Sequence, residues 1–207
     1  MKKSLLSAAM LAVLMTGCAS QESAPVAPTT NTAPPLPAWV MSPASANGYA
    51  ASNCVTATGN FSVDRNHAVS LTRNTLAQNM NLKASVLEKT YQKMDSAAGQ
   101  TSTGTSFEQI AKQIASVTLQ KSQVEQIAVV NIAGVDQVCS LVTMPKIESE
   151  KAFQVLADAS GPIDPSDKAA LYKEFMSQKT AKELEKQVNS LSADIPAPVK
   201  PEVPAKA

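Results

Sequence analysis

The chain has 207 residues, with 18 Lys and Arg against 17 Asp and Glu, one His and three Cys; 44% of it is hydrophobic and only 4% aromatic. A net charge of +1 argues against a basic nucleic-acid binder and against an acidic interaction tail. So few aromatic rings offer no stacking platform for sugars or bases, and the length allows one domain of about 130 to 150 residues once the ends are set aside.

Lys2 and Lys3 open the chain, and Leu5 to Met15 supply eleven mostly apolar residues before the small pair Thr16 and Gly17. Such a segment is a secretory signal, too short to span a bilayer. Its small residues run directly into Cys18, and "MTGC" closely resembles the bacterial lipobox, with Met15 where leucine is commoner. The resemblance implies that residues 1–17 are removed and that Cys18 carries a diacylglycerol on its sulfur and an amide-linked acyl chain. Three chains, at about 0.8 kcal/mol per buried methylene, make a permanent anchor. The alternative, an ordinary signal with an incidental cysteine, leaves an odd thiol in an oxidising compartment. Ala19 stands where an aspartate would mark retention at the inner membrane, which implies the periplasmic face of the outer membrane. Loss of Lys2 and Lys3 leaves 16 basic and 17 acidic groups, a net charge of −1.

Residues 18–37 are the lipidated cysteine and a tether: the stretch "ASQESAPVAPTTNTAPPLPA" at 19–38 holds five of the thirteen prolines and no aromatic, a composition that cannot bury enough surface to fold. At about 3 Å per residue it reaches up to roughly 60 Å from the membrane. After Trp39, the only tryptophan, "CVTATGNF" is β-branched and glycine-bounded, and a strand is expected over 51–58. Asp64 reads as the N-cap of a long helix of about thirty residues, with Val69, Thr72, Leu76, Met80, Ala84, Leu87, Tyr91 and Met94 stepping by three or four. "SAAGQTSTGTS" breaks the pattern; Thr105 and Glu108 then suit a capping box, and Phe107, Ile110, Ile114 and Val117 draw a second helical stripe. "VEQIAVVNIAGVDQVCSLVTMP" changes period to two β-branched runs about Ala133-Gly134-Val135-Asp136, a hairpin signal.

Cys54 and Cys139 remain as an even pair in a compartment that favours disulfides. Bonded together they close 85 positions, worth roughly 4 kcal/mol on the chain-entropy model; the alternatives are two buried thiols, or a metal site for which only His67 remains. A bond between them brings the first strand beside the hairpin's second. The expected class is therefore α+β, a three-stranded antiparallel sheet packed on two helices, over residues 38–146.

Pro145 ends the hairpin, and Ile147 to Ala159 is a shorter helix. Asp164-Pro165 supplies an N-cap with proline at the first helical position. Leu171, Phe175, Leu184, Val188 and Leu191 then mark one last helix of about 27 residues with the polar middle "SQKTAKELEK". Residues 147–194 form this helical extension, and 195–207, with four more prolines, a disordered tail.

The proline-led Trp39, the strand "CVTATGNF", the alanine- and leucine-spaced helix and the "IAVVNIAG" and "QVCSLVTM" hairpin together resemble the Lpp-twenty-type outer-membrane lipoproteins over residues 38–146. The resemblance implies an α+β unit with a small antiparallel sheet against helices. It also implies a structural or assembly role at the periplasmic face, since relatives include the flagellar P-type lipoprotein, which builds a disc or ring around the flagellar motor. The chain departs from the usual pattern in its cysteine pair and in its long C-terminal extension.

No catalytic set is expected. A hydrolytic triad needs a base, and His67 is the single histidine, flanked by apolar Ala68 and Val69. "TSTGTS" lacks the spacing and lysine of a phosphate loop. The carboxylate pairs Glu148 and Glu150, and Glu183 and Glu185, stand among lysines as exposed helix faces do. The expected partners are the outer membrane through the lipid and either copies of the chain or another envelope protein, a peptidoglycan enzyme or inner-membrane protein included. Neither nucleic acid nor a cofactor nor a metal is expected.

Overall fold

The structure, a computed structural model, describes residues 36–97 and 105–194. The signal segment, Cys18, most of the tether, the centre of the break after the long helix and the tail from Ile195 lie outside the described residues.

A short helix α1 (Ala38–Met41) carries the half-buried Trp39. Strand β1 (Gly48–Thr56) starts three residues before the expected position and ends two before it. Gly48 allows the early start, because a Cβ there would overlap the Met144 carbonyl oxygen of the neighbouring strand. The strand stops where the N–H and the hydroxyl of Thr58 both donate to the Asp64 carboxylate, at 2.8 Å each. Asp64 is thus not the N-cap expected of it. Asn60 holds that position, its side-chain oxygen accepting from Val63 N–H at 3.4 Å. Asp64 sits buried inside the first turn and ties it to the preceding loop.

Helix α2 (Phe61–Ala97) has 37 residues, and the expected stripe is its inner face. Val69, Thr72, Leu76, Met80, Ala84, Leu87 and Tyr91 are all buried, and Met94 packs partly against the same core. Helix α3 (Thr105–Lys121) lies along α2. Phe107 and Ile114 are buried as expected, but Val117 is 40% exposed, and Ala111 and Thr118 take inner positions. The series 107, 111, 114, 118 follows the helical pitch of 3.6 residues. Thr118 can be buried because its hydroxyl donates to the Ile114 carbonyl at 2.8 Å. The side chains of Thr105 and Glu108 lie outside the described residues.

Strands β2 (Gln123–Ile132) and β3 (Val135–Pro145) form the expected hairpin. Ala133 and Gly134 both have positive φ, 52° and 85°, as a two-residue type I′ turn demands, and Gly134 N–H donates to Asn131 Oδ1 at 3.0 Å. The sheet order is β1-β3-β2 with both pairs antiparallel. The fold is α+β. On the side facing α2, Tyr49, Ala51, Val142 and Met144 meet Leu76 and Met80 in the main core. Inside that layer Thr72 donates to the Ala68 carbonyl, and its hydroxyl lies 2.6 Å from that of Ser140, so a polar pair on the helix and sheet faces is satisfied within the apolar interior.

Helix α4 (Lys146–Ala159) follows β3 directly. Helix α5 (Pro165–Met176) begins as read, with the Asp164 side chain accepting from Ser166 N–H and proline at its start. The long terminal helix is corrected: it is two helices, α5 and α6 (Ala181–Asp194), parted at residues 177–180. Phe153, Leu156, Leu171 and Phe175 belong to the same core cluster as β1 and α2, and Phe153 meets the Tyr172 ring edge-on at 5.3 Å.

Candidate functional site

Cys18, the expected lipid attachment point, lies outside the described residues. Cys54 and Cys139 are brought together: they face each other directly in the β1–β3 register with their sulfurs at disulfide distance. Ala57 N–H donates to the Asp136 carbonyl, and counting back along the ladder places the cysteines at a non-hydrogen-bonded pair, where side chains come closest. His67 is exposed on α2. Glu148 is paired with Lys151 at 2.8 Å, Glu150 accepts from the Tyr172 hydroxyl, and Glu183 is engaged by Thr180. Among the described residues no group of three or more His, Cys, Asp or Glu is placed to hold a metal, and no helix is long and apolar enough to cross a membrane.

The densest polar arrangement is at the joint between α5 and α6. α2 carries Lys83 inward between Met80 and Leu87, leaving it 3% exposed. Its ammonium donates to the carbonyls of Phe175 and Ser177, both at 2.6 Å, so it meets the negative end of α5. It also lies 4.3 Å from the centroid of the Tyr49 ring, within cation–π range. Burial pushes its pKa down to about 8, against the pull of Glu174. The Tyr49 hydroxyl donates to the Lys179 carbonyl, and burial drives its pKa well up. Gln178 completes the joint: its amide donates to the Ala50 carbonyl at 2.8 Å and accepts from Ala50 N–H at 3.1 Å. A side chain thereby does what a fourth strand would do at the outer edge of β1.

Sequence reading missed Lys83, Tyr49 and Gln178. One signal was available, since a lysine at the spacing Met80, Lys83, Leu87 stands on the buried stripe. Chemically the joint holds helices to a sheet. Its groups are consumed by one another, and the opening at Lys83 between α2 and α5 is only about 10 Å³. Other concavities lie elsewhere on the fold. A recess of about 180 Å³ lined by Ser45, Tyr49, Met80 and Ser149 has room for several waters. A shallow apolar groove between α4 and α5 exposes about half of Ile147 and Val155.

Models of known families, curated proteins and solved structures were all compared with the chain, and none matches it.

Proposed function

We propose that this is a non-enzymatic lipoprotein of the outer membrane, held by acylated Cys18 at the periplasmic face and acting by assembly with copies of itself. The observation that carries the reading is the run "MTGC" at residues 15–18, placed behind a charged and apolar leader and ahead of a proline-rich tether. The fold beyond the tether adds support: the buried polar side chains of Lys83, Thr72 and Ser140 are spent on joining helix to sheet or helix to helix. A place in a flagellar disc or ring is the sharpest form of this reading, and rests on the resemblance over residues 38–146.

The anchor is tested by labelling cells with radioactive palmitate and fractionating their envelopes. The native chain is expected to carry label and to sediment with outer membrane, and Cys18→Ser to lose both. Label retained by Cys18→Ser overturns the anchor.

The length of residues 19–37 favours a second reading, a tethered regulator that reaches a peptidoglycan enzyme or an inner-membrane protein. Halving the tether abolishes the function of such a regulator and spares an assembly that stays near the membrane, so a harmless truncation removes this reading.

A further inference from the structure

β2 lies at one edge of the sheet and β1 at the other. The hydrogen bond from Ala57 N–H to Asp136 sets the phase of the ladder. Even-numbered residues of β3 turn their backbone groups toward β1 in this phase, and odd-numbered ones toward β2. Ala128 and Val130, opposite Cys139 and Gln137, therefore bond inward. Ile127, Val129 and Asn131 present their N–H and C=O groups outward, and no described strand takes them.

A bulge between Val124 and Gln126 interrupts one end of this edge, and the regular stretch beyond it lacks the other usual protection. Residues 126–132, "QIAVVNI", contain no proline and no charge, the features that keep free edges from pairing. The nearest charge, Glu125, is held within its own chain by Thr143, Ser45 and Asn47. Val129 is 55% exposed. At the opposite edge the outward groups of Ala50 on β1 are occupied by Gln178.

We propose that β2 pairs antiparallel with β2 of a second copy across a two-fold axis at Val129, joining two three-stranded sheets into one of six. Val129 then meets its own counterpart, Ile127 lies opposite Asn131 of the second copy, and Glu125 lies opposite Ala133, so no like charges meet. The surface is self-complementary, as a two-fold interface must be. Main-chain hydrogen bonds supply the affinity, as in other strand additions. Both copies spend the same β2 edge on the contact, so this two-fold contact closes at two copies. The inference rests on the reading that the chain acts by assembly and names the surface it uses.

The test introduces cysteine on the edge of the full chain, made with its own leader, and treats intact cells with a mild oxidant. Val129→Cys is expected to give a reducible species of twice the chain's mass in most of the population. Val124→Cys, also on β2 but far from its own counterpart in this register, is expected to give little. Absence of the Val129→Cys species, or equal crosslinking at Val124→Cys, overturns the register. Val129→Pro removes an outward N–H that the chain's own ladder does not use, and should convert the detergent-solubilised dimer to monomer with native thermal unfolding. If the native chain assembles and Val129→Pro assembles equally, the edge is not the surface while the assembly reading stands; a native chain that is monomeric throughout fails both.

Discussion

Lys83 is inside the fold because α2 carries it on the same face as Met80 and Leu87, and the carbonyls of Phe175 and Ser177 meet it there. Those two acceptors offset the loss of water around the charge, which an unpaired buried ammonium could not tolerate. Burial still holds its pKa to about 8, against an ordinary 10.5. Between those values the unfolded chain binds a proton that the folded chain does not, so this residue's share of stability grows as pH rises. Tyr49 acts oppositely above pH 10: its raised pKa means the unfolded phenol ionises first, and stability falls. The difference in unfolding free energy between the native chain and Lys83→Met is thus expected to rise by about 2 kcal/mol from pH 8 to 10. Above that both proteins should decline as Tyr49 ionises on unfolding. Urea titrations at each pH measure it, and a flat difference contradicts the account. Only the spacing on the buried stripe hints at Lys83 in the sequence; its two acceptors lie more than ninety residues away.

At the level of elements, the long helix α2 was legible because its apolar steps run unbroken for seven turns of the pattern and only tertiary packing had to agree. The division of α5 from α6 was not, although Leu171, Phe175 and Leu184 are all buried. What parts the helices is the demand of other elements: the edge of β1 needs Gln178 extended beside Ala50, and Lys83 needs an open carbonyl end. The local signal was present in Thr180-Ala181-Lys182-Glu183. Thr180 N–H and hydroxyl both donate to the Glu183 carboxylate, and Glu183 N–H donates back to Thr180 at 3.3 Å, a capping box at the start of α6. These hydrogen bonds, backbone first, hold the Glu183 carboxyl below the usual range. Thr180→Ala is expected to lower stability by about 1 kcal/mol in denaturant unfolding, and Thr180→Ala with Glu183→Ala by clearly less than the sum of the two. Full additivity would mean that the box is not a unit. Helix α3 teaches the same lesson on a smaller scale: Thr118 displaced Val117 from the interior because its hydroxyl found a carbonyl within the helix.

For the molecule as a whole, the cysteine pair was the most informative feature of the sequence. Requiring Cys54 to reach Cys139 forced the first strand against the second strand of the hairpin, and the order β1-β3-β2 follows. What the cysteines could not reveal is that α4 and α5 share the core of the sheet and α2, since amphipathic helices after a domain read alike whether they pack back or stand apart. The outer edge of β2, which no described strand takes, and the occupation of Ala50 on β1 by Gln178 are likewise consequences of the assembled fold. The central claim is that the molecule works by assembling at the membrane, and light scattering of the native chain extracted from membranes in mild detergent tests it most directly. A protein mass that is a multiple of the single chain, stable on dilution through the micromolar range, is the predicted result. A single chain at every concentration would contradict it.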